Sequence, residues 1–170
     1  MKRPEITEYK DDYEDYASLV EETDVVSAMR KQLAEIENLF ASISEEKGEF
    51  TYATGKWTIK ELLGHLINGE RVFSYRALRI ARGDQTPLSG FDQDLLTDNG
   101  NFNANSLADL VEEFSHLCQA NIIFFQNLSD EAWEQTGTVN DTPASVRAIA
   151  YNMVNHVRHH IDSLRFHYLW

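Results

Sequence analysis

A single cysteine, Cys118, means that no disulfide can form within the chain and that a cysteine-rich zinc site is excluded. Any metal would have to be held by nitrogen and oxygen donors. Proline is almost as scarce: Pro4, Pro87 and Pro143 are the only three, and all fall outside the long periodic segments. That distribution favours an all-α protein. Basic charge is short too, with 15 Lys and Arg against 28 Asp and Glu and a net charge of −13. Nucleic acid and anionic membrane surfaces both attract cationic proteins, so neither is expected as a partner. No apolar run approaches the roughly 18 residues that a membrane span needs. The segment Met1 to Asp24 is acidic and tyrosine-rich and lacks the basic start and apolar core of a secretory signal, so a cytoplasmic address is expected. A glycine-rich phosphate loop, a Gly-x-Ser-x-Gly elbow and a His-Glu-x-x-His helix are also missing.

What is present is helical periodicity. The 170 residues suit one domain with one core, expected over 1–170. Tyr9, Tyr13, Tyr16, Leu19 and Val20 suggest an apolar edge laid across a larger body. A first strong helix is expected from about Asp24 to Ser44, because Val25, Met29, Leu33, Ile36 and Phe40 recur at three- and four-residue spacing. Thr58 opens a second, and Glu61 three residues on completes a capping box. Its core face carries Ile59, Leu62, Leu66, Phe73, Ala77 and Ile80, and it ends near Gly83. Residues 84–105 form the longest irregular stretch, with one turn of helix at Asp92 to Leu96, and loops of this length are often lids or binding loops. A third helix runs from Ser106 to about Leu128, a short turn spans Asp130 to Gln135, and a fourth runs from a Ser145 cap to about Tyr168. No strand pattern stands out. Four long helices read as a bundle.

The residues that can carry chemistry lie on two of those helices. His156 and His160 are four apart and therefore on one face, a spacing at which two imidazoles can grip one ion. At roughly 100° per residue they sit at one rim of the apolar arc formed by Ile149, Met153, Val157 and Ile161. His159 points roughly 100° away, beside Asn152, toward the polar side. His65 occupies the matching rim of the second helix, near Leu62, Gly69 and Phe73. Three imidazoles would leave coordination positions open for water or substrate, as catalytic sites do. The spacing alone leaves two readings standing: a metal site, or ordinary histidines at the edge of a core.

Several polar residues have both a functional and a plain reading. Glu70 falls inside the apolar arc of the second helix, where it would either orient an imidazole from behind or pair with Arg76 or Arg79. Asn68, one turn after His65, could line the site. Glu61 is taken as the cap. Asp92 and Asp94 either reach over the metal or stay solvated in their loop. Cys118 is taken as packing.

At this level of detail the chain resembles the DinB-like superfamily, which includes the YfiT-type metal-dependent hydrolases. The resemblance covers nearly the whole length. It rests on the stretches from Tyr13 to Val20, Gly55 to His65, Glu70 to Phe73, Arg76 to Asp84, Gly90 to Asp94 and His156 to His160. It implies an up-down-down-up four-helix bundle with a metal site in a groove. It also implies that His65 from the second helix and His156 and His160 from the last are the metal ligands. Zinc or nickel would be the leading metals, with iron or manganese as alternatives, and a homodimer is expected. The wider superfamily includes thiol S-transferases that use bacillithiol or mycothiol and a maleylpyruvate isomerase. Two positions depart from the family pattern: Asn68 stands where relatives often carry Asp, and Asn155 where they often carry Gly. The first departure removes a possible base.

The expected function is therefore that of a divalent-metal protein acting as a hydrolase or thiol S-transferase on a small molecule, with a low-molecular-weight thiol as a candidate cosubstrate; the alternatives are a non-catalytic metal-binding or stress-response module, and a metal-free sensing rim. No particular catalytic residue is expected beyond a metal-bound water or thiol, with Glu70 and Asn68 as supporting groups.

Overall fold

A computed structural model describes residues 3–5, 8 and 24–169. The tyrosine-rich edge expected between Tyr9 and Val20 lies outside them. Four long helices make the body: α1 (Val25–Ala41), α3 (Ile59–Ala81), α5 (Leu107–Gln126) and α7 (Val146–His167). Short helices α2 (Glu45–Gly48), α4 (Gln93–Asp98) and α6 (Asp130–Glu134) punctuate the connections. Each start has a local cause. The Asp24 carboxylate accepts from the Val26 N–H, and Ser106 and Ser145 cap α5 and α7 in the same manner. At Thr58 the box closes both ways: the hydroxyl accepts from the Glu61 N–H at 3.1 Å, and the Glu61 carboxylate accepts from the Thr58 N–H at 2.8 Å.

The helix directions follow from contacts at the ends. Lys60, buried at the start of α3, pairs with Glu45 at 2.5 Å, and the same carboxylate accepts from the Leu107 N–H at 2.8 Å. The starts of α3 and α5 therefore lie together, and these helices run parallel. Tyr168, just past α7, donates its hydroxyl to the Trp57 carbonyl just before α3, so α3 and α7 are antiparallel. Arg30 near the start of α1 meets Gln126 at the end of α5, so these too are antiparallel. The result is an up-down-down-up four-helix bundle. Its core runs through Ile36, Leu63, Leu66, Ile80, Phe114, Phe125, Tyr151 and Leu164, each at most 2% exposed. Burying each such large side chain contributes about 1.5–3 kcal/mol.

One element departs from the helical expectation. Residues Thr136–Val139 (β1) and Thr142–Ser145 (β2) form an antiparallel hairpin, turned through Asn140 and Asp141 at φ values of 50° and 61°. Two consecutive positive φ values are those of a type I′ turn, which Asn and Asp tolerate. Leu88 adds its backbone to β1: its N–H donates to Thr138, and its carbonyl accepts from Asn140. β2 is left as an edge strand, which is where Pro143 can sit without breaking a ladder. The strands escape notice in the sequence because they are four residues long and built mostly of small or polar residues. Gly137 lets the hairpin press on α3; a Cβ there would come within 2.7 Å of Ile80. Among the described residues, no helix is long and apolar enough to cross a membrane.

Candidate metal centre

The antiparallel pairing of α3 and α7 brings together residues that are about ninety positions apart. His65, in the second turn of α3, is 1% exposed rather than at a rim. Its Nε2 lies 2.9 Å from Nε2 of His156 and 3.0 Å from Nε2 of His160. Ligand atoms of all three lie within 4.8 Å of one another. His159, as the wheel expected, is exposed, and its ring stacks edge-on against His160.

The cluster is held by aromatic packing. Trp57, immediately before the α3 cap, covers the His65 ring at 4.7 Å, and Phe73, two turns further along α3, meets the His156 ring edge-on at 5.3 Å. Gly69 leaves room for His156; a Cβ there would stand 2.9 Å from that ring. Burial keeps the imidazoles neutral. It lowers the pKa of His65 to about 4, with the Asp94 charge opposing. It lowers that of His160 to about 3, helped by His65 and His159. It lowers that of His156 well below the ordinary value, helped by His160, His65 and His159.

This arrangement fits a divalent cation. A neutral imidazole has one N–H donor and one lone pair. With three Nε2 atoms turned on each other, a single proton can bridge one pair and leaves the third nitrogen facing a lone pair. A cation satisfies all three at once. Nitrogens held about 2.0–2.1 Å from one ion can stand up to about 4.2 Å apart, so side-chain shifts below an ångström close the set. The donors are all nitrogen and all neutral, which suits zinc, nickel or iron.

The centre forms part of the wall of a groove of about 560 Å³, whose other walls are the hairpin tip, the Gly90–Phe91 segment and the outer face of α7. Asn155, 2% exposed, lines it, and its Oδ1 finds no hydrogen-bond partner among the described residues. The hairpin wall was invisible in the sequence; the only signal for it was the Asn-Asp pair between Val139 and Thr142.

The supporting residues fall in different places. Glu70 is buried, and its carboxylate accepts from Asn121 at 2.7 Å and from the Cys118 thiol, not from an arginine. Burial raises its pKa to about 7, and those two hydrogen bonds pull the other way. Arg79 instead pairs with Asp84, and Arg76 donates to the Ser89 carbonyl at 2.8 Å. Cys118 is half-buried, and its thiol pKa is pushed upward, first by burial and then by Glu70. Asn68 reaches to the Leu96 carbonyl at 3.5 Å. Asp92 caps α4 through two N–H groups at 3.0 Å, and the exposed Asp94 acts on His65 through its charge.

A helical bundle with three histidines converging beside a groove defines the class of protein. The family model of the DinB superfamily matches residues 28–163, and the chain belongs to that superfamily. Among solved structures, it is similar to YfiT from Bacillus subtilis, described as a probable metal-dependent hydrolase with an unusual four-helix bundle topology. The TM-score is 0.75 at 13% identity, over 96% of this chain and 90% of that one. It is also similar to a mycothiol-dependent maleylpyruvate isomerase, with a TM-score of 0.68 at 12% identity over 81% of this chain and 58% of that one. At these identities the likeness is one of fold. No curated protein is similar enough in sequence to count as a relative.

Proposed function

We propose that the chain holds one divalent metal ion on His65, His156 and His160 and uses it in hydrolysis of a small molecule, with thiol transfer as the competing chemistry on the same site. The observation that carries this reading is the convergence of three neutral Nε2 atoms beside an open groove. A bound ion would supply Lewis acidity toward water, a thiol or a carbonyl. The chain supplies the rest. Trp57 and Phe73 fix the ring planes and keep water from the backs of the imidazoles. Asn155 offers an acceptor to a ligand donor. Asp94 is the one carboxylate among the described residues whose charge is felt at any of the three histidines, and it is felt at His65 alone, which makes it the candidate for handling a proton in place of the base that Asn68 cannot provide.

The hydrolytic reading is preferred because the likeness to YfiT spans nearly all of both chains, whereas the isomerase is matched over little more than half its length. The test is elemental analysis of native protein, with turnover measured on small esters and amides and on electrophiles supplied with thiols. Zinc or nickel is expected at about one ion per chain. His65→Ala and His156→Ala should each weaken metal binding more than ~100-fold, since even residues behind a ligand are worth roughly 10–100-fold. Full metal and full activity in both variants would sink the proposal. Metal retained without any turnover would reduce it to a binding module.

A further inference from the structure

Among the described residues, one buried side-chain nitrogen or oxygen lacks a hydrogen-bond partner, and it is Oδ1 of Asn155. Other buried polar groups are matched in ordinary ways. Gln32 donates to the Val154 carbonyl at 2.8 Å, Thr97 to the Gln93 carbonyl at 2.8 Å, and Asn121 to the Glu70 carboxylate at 2.7 Å. Buried acceptors are almost always paired, so one left open beside a groove points to a donor that arrives with a ligand.

Position ties that acceptor to the three histidines. Asn155 directly precedes His156 on α7, about 1.5 Å along the axis and roughly 100° around it. Both line the groove, as do His65 and His160. The χ2 torsion of an Asn is soft, so the oxygen can turn to a donor in the groove at little cost. Phe73 and Phe91 line the same groove with ring centroids 6.3 Å apart, and Phe73 meets His156 edge-on, which gives an aromatic wall beside the imidazoles.

A ligand that uses both polar features needs two groups side by side: a neutral donor for Asn155, and a carbonyl for a cation held by the histidines. An ester or a ketone has the carbonyl and no donor. A carboxylate at neutral pH has no donor either. An ammonium has no carbonyl and would be repelled by the ion. A carboxamide carries the carbonyl and the N–H in one planar, uncharged group.

We infer that the groove takes a small carboxamide, its N–H donated to Asn155 Oδ1, its carbonyl toward His65, His156 and His160, and its apolar body against Phe73 and Phe91. Hydrolysis of that bond consumes one water. The water oxygen joins the carbonyl carbon with one proton, the carbon–nitrogen bond breaks, and the other proton goes to the leaving nitrogen, giving an acid and an amine. This inference names the substrate class for the proposed metal site and rests on that reading.

The probes are 2-phenylacetamide and two controls. Phenylacetone has a methyl in place of the amino group, and N,N-dimethyl-2-phenylacetamide keeps the amide carbonyl without an N–H. Each is titrated calorimetrically into zinc-loaded and zinc-stripped protein. 2-Phenylacetamide should bind the zinc-loaded protein at least ~10-fold more tightly than either control, the margin of one well-placed buried hydrogen bond. Asn155→Ala should erase that margin with zinc content unchanged. Asn155→Leu, which keeps the side-chain volume, should do the same and guards against an Ala variant that fails to fold. Equal binding of the three probes by the wild type overturns the inference, as does a margin that survives the loss of Asn155. If the wild type takes up zinc and shows no margin, the inference falls and the metal reading stands. If it takes up no zinc and shows a margin that Asn155→Ala removes, the acceptor site stands and the metal reading falls.

Discussion

Two buried polar clusters lie five residues apart on α3, and they are built on opposite terms. At Glu70 the carboxylate is matched: Asn121 donates to it from α5, the Cys118 thiol donates beside it, and the space left over is about 10 Å³, room for one water at most. At His65 the nitrogens are mismatched with one another, face a groove of about 560 Å³, and have a neighbour, Asn155, whose oxygen has no partner among the described residues. A closed and satisfied cluster is what a core does with a polar group it must bury. An open and unsatisfied one is what a binding site looks like before its ligand arrives. Burial alone does not separate the two, since His65 and Glu70 are both buried. The supply of partners does.

Three measurements sharpen or break that contrast. The largest effect is expected on the satisfied side. Asn121→Ala leaves the Glu70 carboxylate short of a donor in the core and should cost about 2–3 kcal/mol in urea unfolding near neutral pH. A loss below half a kcal/mol would mean that the cluster is not closed.

The next effect depends on pH. The Glu70 pKa in the folded chain, about 7, lies above its ordinary value of 4.5. The folded state therefore holds the proton more tightly, and the stability this contributes is fully present below about pH 4.5 and lost as pH rises through 7. Glu70→Gln mimics the protonated form. It should unfold about 2–3 kcal/mol harder than the wild type at pH 8, and the two should converge near pH 4. Stability curves that run parallel between those values would show that Glu70 titrates normally.

The smallest effect belongs to the open side. Asn155→Ala removes an acceptor that has no partner among the described residues, so its cost should stay under about 1 kcal/mol despite its burial. A loss as large as that of Asn121→Ala would mean that Asn155 is matched after all.

The sequence showed what is local and periodic. The caps at Thr58 and Ser145 and the helix starts at Asp24 and Ser106 were legible because each is a short-range exchange between a side chain and a nearby N–H. The four long helices were legible because an apolar stripe repeats every three or four residues. The i,i+4 pair on α7 was legible for the same reason. That His65 would reach the pair was carried by family resemblance, because spacing cannot say which helices are neighbours. What stayed hidden was whatever is made by contact between distant pieces. The partner of Glu70 sits fifty-one residues away on α5, and nothing near Glu70 points to it. The hairpin from 136 to 145 has almost no apolar alternation and is held by Leu88 from another connection. The groove wall drew on both.

Because α3 and α5 point the same way, the chain between them must travel back along the full length of the bundle before α5 can begin. That return path, residues 82–106, supplies Gly90, Phe91 and Gln93 to the mouth of the groove and Leu88, whose backbone steadies the hairpin. A topology chosen by how helices stack has thus left a long ribbon draped over the entrance. Trimming or extending that ribbon would change which molecules gain admission while sparing the imidazoles and the core beneath.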